Sequence, residues 1–169
     1  AINYGLSLIP FDSLYIVIGA GDLFIKINKE LKHSKDKIIF LPYRLSSSKN
    51  KKFITEIRNL NSGMPYCHNA IVFANDGSTY NSKYKISADY EHLLQYINRY
   101  NLTKKIMMGN IQENIFIEFE SLLGLSSKSR LRKIIENIII VYRNMGPFNI
   151  LYYFCHTFKR IINLFWRMI

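Results

Sequence analysis

A chain of 169 residues, 49% of them hydrophobic, has the length of one ordinary domain and enough apolar side chains for a packed core. Its 23 Lys and Arg outnumber 12 Asp and Glu, and the resulting net charge of +11 implies an anionic partner. Several classes are excluded: Cys67 and Cys155 stand alone, His33, His68, His92 and His156 have no zinc-ligand spacing, and the longest apolar runs are broken by Glu136, Asn137, Asn163 and Arg167, short of the roughly 18 clean residues a membrane span needs.

In chain order, residues 1–6 read as part of an element, with no basic and apolar leader before them, so the chain is expected to continue a longer upstream sequence. Residues 14–18 (LYIVI) are a β-branched and aromatic run bounded by Asp12-Ser13 and Gly19-Ala20-Gly21, which predicts a buried strand ending in a turn that carries Asp22. Residues 38–41 predict a second strand, 46–52 a polar loop, 69–74 a third strand and Asn75-Asp76-Gly77-Ser78 a turn. From Ser87 the period becomes helical, with Leu93, Leu94, Ile97 and Tyr100 on one face and Ser87 or Asp89 at the start. Residues 104–108 suit another strand and 130–142 a helix, and Gly146-Pro147 separates a last helix over 148–168. The mixture is that of an α/β fold, with a body over 1–125 and a basic, aromatic helical tail over 126–169.

Three places could carry chemistry. Asp22 follows a strand end, where open α/β sheets collect ligands, and its carboxylate would either hold a divalent cation or cap the helix beginning at Leu23. His68 lies beyond the turn made by Gly63 and Pro65 and leads into a strand, as a cleft residue or a structural hydrogen bonder. Asp89 falls in the first turn of an amphipathic helix, where the positive end of the helix dipole favours a carboxylate. It would serve as helix cap or as general base.

The segments Ala1-Ile2-Asn3-Tyr4-Gly5-Leu6, Gly21-Asp22-Leu23-Phe24, Gly63-Met64-Pro65-Tyr66-Cys67-His68-Asn69-Ala70 and Tyr84-Lys85-Ile86-Ser87-Ala88-Asp89-Tyr90, in that order, resemble family 2 glycosyltransferases of bacterial surface-polysaccharide synthesis. The resemblance covers about residues 1–100 and implies a GT-A-like mixed sheet flanked by helices. It also implies an inverting transfer from a nucleotide-sugar donor to a saccharide or lipid-linked acceptor, as in lipopolysaccharide or capsule assembly. By the same likeness Gly21 and Asp22 hold the donor diphosphate, Asp22 through Mg2+ or Mn2+, Asp89 takes the acceptor's proton, and His68 lines the cleft near the acceptor or the diphosphate. Position 20 is Ala where the family's Asp-x-Asp has an acid, and no Gln-x-x-Arg-Trp motif of processive synthases follows Asp89. The family's first strand and nucleotide-gripping acids lie upstream of the residues that Ala1 matches. The alternative reading is therefore a non-catalytic remnant, or a membrane-surface binding module, that keeps the fold.

The charge excess is concentrated late: Lys128, Arg130, Arg132, Lys133, Arg143, Lys159, Arg160 and Arg167 face Glu136 alone. In the last helix Lys159, Arg160 and Arg167 interleave with Tyr152, Tyr153, Phe154, Phe158, Phe165 and Trp166. Such a helix either lies in an anionic membrane interface or packs its apolar face on the body. The expected location is cytoplasmic, peripheral on the inner face of the cytoplasmic membrane. Nucleic acid is not an expected partner, because no helix-turn-helix, zinc or ribonucleoprotein motif accompanies the charge.

Overall fold

The computed structural model describes residues 2–17, 38–45, 53–102, 117–119 and 129–166. It is mixed α/β. The run Ile71–Ala74 forms the middle strand, β4, of a three-stranded antiparallel sheet, flanked by β1 (Leu14–Ile16) and β2 (Ile38–Phe40). The register pairs Tyr15 and Ile38 with Phe73, and Phe40 with Ile71. Every residue of β4 is buried, which is why its sequence is an unbroken apolar run instead of an alternation. β1, paired only with β4 among the described residues, buries Tyr15 and leaves Leu14 and Ile16 half-buried.

The third predicted strand starts later than its apolar character suggests. His68–Ala70 is a turn of 3-10 helix, and the extended backbone begins at Ile71. A second, two-stranded sheet pairs β3 (Tyr43–Leu45) in parallel with β5 (Ile117–Phe119), and the Ile117 amide donates to Pro42 O at 3.0 Å. Neither strand of this sheet is an expectation of the sequence. The strand expected at 104–108 and the polar loop at 46–52 lie outside the described residues.

Helix α1 (Ile2–Ser7) buries Leu6 against the sheet. Helix α2 (Ala88–Arg99) is the wall shared by two cores: Leu93, Tyr96 and Ile97 face the sheet, while Tyr90 and Leu94 meet Ile140, Val141 and Tyr153 of the C-terminal helices. Its start and end follow the predicted period, and Asn101, at φ 51, takes the left-handed position just past the helix that Asn tolerates.

Helices α3 (Arg130–Met145) and α4 (Pro147–Trp166) meet at Gly146, whose φ of 86 ends one helix while Pro147 opens the next. Polar side chains fasten them to the body. Asn61 Nδ2 donates to Asn149 Oδ1 at 2.6 Å, Asn59 Nδ2 to the Tyr152 hydroxyl at 3.1 Å, and Asn98 Nδ2 to Asn144 O at 3.1 Å. One face of α4 therefore packs on the body, but partly through polar side chains, where the packing reading of the tail expects its apolar face. Its opposite face is exposed and apolar. Among the described residues no helix is long and apolar enough to cross a membrane.

Candidate functional site at the start of helix α2

The segment from Gly63 to His68 is held from several sides. Gly63 has φ 101, and a Cβ there would come within 3.1 Å of Asn137 Nδ2, so both backbone conformation and close approach require glycine. Pro65 is buried and its carbonyl accepts from the Arg58 amide at 3.0 Å. The Tyr66 hydroxyl is shared between Leu41 O at 2.8 Å and Ile54 O at 2.9 Å. Burial, followed by its neighbours Tyr43 and Cys67, pushes the pKa of that phenol well above its ordinary range, so it stays a neutral donor. Anchored by Pro65 and Tyr66, the chain delivers His68 to the surface immediately before β4.

There His68 meets Asp89. Nδ1 of His68 lies 3.3 Å from Oδ2 of Asp89, and the two side chains are 43% and 26% exposed, open enough for a ligand to reach both. The other carboxylate oxygen, Oδ1, accepts from the Tyr90 amide at 2.9 Å, in the first turn of α2. Asp89 is thus fixed by one oxygen and presents the other to His68 and solvent. Asp89 is not the helix cap, and Ser87 at the cap position makes no side-chain cap bond either.

The segment that precedes the helix is held instead by Glu136, which the sequence marks as an interruption of an apolar stretch and the lone acid among the tail cations. Glu136, on α3, reaches across to the residues before α2 and accepts from the amides of Lys85 (3.1 Å), Ile86 (2.9 Å) and Ser87 (2.9 Å). Arg132 Nε supplies a fourth donor at 2.8 Å. Burial alone would raise its pKa, but the hydrogen bonds from Arg132 and the amides outweigh it and hold the carboxyl below the usual range. The backbone just before α2 is therefore pinned by a side chain from another helix, while within the first turn the Tyr90 amide is taken by Asp89 itself.

Two further neighbours complete the corner. Asn3 of α1 clamps Tyr80 on both sides, its Nδ2 donating to Tyr80 O and its Oδ1 accepting from Tyr80 N, each at 2.8 Å. Burial, then the charge of Asp89, raises the pKa of the Tyr80 phenol. Tyr80 also stacks on His92, ring centroids 4.2 Å apart. His92 is buried, with Nε2 2.8 Å from the Tyr15 hydroxyl, and desolvation pushes its pKa down to about 4. It is a neutral core histidine that ties α2 to β1.

Of the sequence-predicted site residues, the structure brings His68 and Asp89 together. Gly21 and Asp22 lie outside the described residues. Among the described residues no group of three or more His, Cys, Asp or Glu is arranged to hold a metal ion. Asn3, Tyr80 and Glu136 carry no local signal beyond, for Asn3, its place in the first motif. Comparison with family models, with curated proteins and with solved structures finds no match to the chain.

Proposed function

We propose that the chain is a glycosyltransferase of GT-A type that moves a sugar, with inversion, from a nucleotide-sugar donor to a saccharide or lipid-linked acceptor in cell-surface polysaccharide synthesis. The observation that carries this reading is the 3.3 Å approach of His68 and Asp89. Two motifs of the family resemblance, distant in sequence, meet at one open corner.

In this reading the acceptor hydroxyl approaches Asp89 Oδ2, the oxygen not engaged by the Tyr90 amide. As the acceptor oxygen bonds to the anomeric carbon, its proton passes to Asp89, and the bond from that carbon to the diphosphate breaks, releasing a nucleoside diphosphate. His68 restrains the carboxylate and lines the acceptor side. The resemblance gives Asp22 to a Mg2+ or Mn2+ ion, which would offset the charge of the departing diphosphate. No step above depends on the ion.

The test is direct. Incubated with Mn2+, a saccharide or lipid-linked acceptor and a panel of nucleotide sugars, the protein should release one nucleoside diphosphate, and its melting temperature should rise with the same donor. Neither release nor a melting shift with any donor would refute the reading.

A further inference from the structure

Helix α4 has two unlike faces. Asn149 and Tyr153 point to the body, with Tyr153 buried against Asn137 of α3. Phe148, Leu151, Cys155, Phe158, Ile162 and Trp166 recur at spacings of three and four, and at 100° per residue they fall within about 80° of arc. All six are exposed, Leu151 to 71%, Phe158 to 65% and Trp166 to 72%. Helix α3 repeats the arrangement, with Glu136, Asn137 and Ile140 inward and the stripe Leu131, Ile135, Ile139 and Tyr142 outward. Single exposed apolar residues are ordinary, but a stripe this long on each of two consecutive helices calls for a cover.

Charge selects among covers. The two helices carry Arg130, Arg132, Lys133, Arg143, Lys159 and Arg160 against one acid, and that acid, Glu136, is buried and engaged. Lys159 stands at the edge of the α4 stripe and is exposed. A second copy of a chain of net charge +11 would bring like charges together, whereas a surface that is apolar inside and anionic at its rim matches both features.

We infer that the outward faces of α3 and α4 dock on an anionic lipid bilayer, with α4 lying in the headgroup plane and its stripe at the acyl boundary. An indole is well suited to that depth, with an apolar ring and one polar N–H. This surface is distinct from the His68–Asp89 corner, and its existence does not depend on the proposed transfer. The same two helices support Gly63 and residues 85–87, so docking would bring that corner to the membrane with them.

Trp166, the chain's one tryptophan, is a built-in probe. On titration with vesicles of phosphatidylglycerol and phosphatidylcholine at low salt, its emission should move to shorter wavelength as the protein pellets with the lipid. Vesicles of phosphatidylcholine alone should bind far less, and added salt should release the protein. Replacing one contacting cation, Lys159→Gln, should weaken partition about fivefold. Phe158→Glu should weaken it by about tenfold or more while leaving the melting temperature unchanged, because the side chain is exposed in the free protein. His68→Ala should bind vesicles as the parent does, which separates docking from catalysis. Absence of binding to anionic vesicles at low salt, or parental binding by Phe158→Glu, would overturn the inference. So would a dimer in solution that Phe158→Glu dissolves, since it would give the face to a second copy.

Discussion

The two ends of helix α2 each hold an aspartate, and the two are used in opposite ways. Asp76, beside the C-terminal end, is almost fully buried and takes hydrogen bonds from the Ser78 amide, an Arg99 guanidinium nitrogen and the Tyr100 hydroxyl. Burial works against its ionisation, but the bonds from Ser78, Tyr100 and Arg99 prevail and hold its carboxyl below the usual range. Asp89, at the N-terminal end, accepts one amide and leaves its second oxygen facing His68 and solvent. A carboxylate whose acceptor capacity is consumed by its own chain can only hold structure together. One with an oxygen to spare at an open surface can take a proton from something else. Glu136 belongs with Asp76 in this respect, although its bonds support the same backbone that carries Asp89.

Substitutions can break this contrast. The largest stability effect is expected at Glu136→Ala, which strips the amides of residues 85–87 of their acceptor and leaves Arg132 without its carboxylate. Urea unfolding should show a loss of about 3 kcal/mol, with weaker transfer because the start of α2 loosens. A pH titration of stability comes next. His92 is neutral in the fold with a pKa of about 4, against an ordinary value of 6.5, so the unfolded chain binds the extra proton between those limits. Stability should therefore fall by up to about 3 kcal/mol as pH drops from about 6.5 to about 4. His92→Phe should flatten that limb of the profile. Asp76 and Glu136, both with lowered values, add a further loss that begins near their ordinary values, 3.8 and 4.5, and grows as pH falls. The smallest effect is expected at Asp76→Asn, about 2 kcal/mol in the same unfolding measurement, with the transfer rate per folded molecule unchanged.

How far these roles can be read from the sequence depends on how local they are. The apolar run of β4, the period of α2 and the Gly146-Pro147 break between the last helices are properties of adjacent residues, and the fold carries each of them close to its expected place. Glu136 was legible only as a polar interruption, because its partners lie at residues 85–87 and nothing in its own neighbourhood points there. The parallel pairing of β3 with β5 is long-range in the same way. The choice between cap and base at Asp89 could not be made locally, since both place an acid in the first turn of a helix. The fold puts Ser87 at the cap position and Asp89 inside the first turn beside His68, contacts that no local pattern displays. In α4 the sequence displays apolar residues on nearly every side, and only packing reveals that the inward contacts include Asn149 and Tyr152 while an apolar stripe is left outside. Gly21 and Asp22 remain expectations of the family resemblance, outside the described residues.

The central claim is that Asp89 accepts a proton during sugar transfer, and Asp89→Asn tests it most directly, since the amide keeps the shape and the Tyr90 contact but is a far weaker base. With a donor that the parent protein uses, nucleoside diphosphate release should fall by about 100-fold or more while donor binding, read by the melting shift, and folding stability stay at parental levels. Turnover at the parental rate in Asp89→Asn would contradict the account.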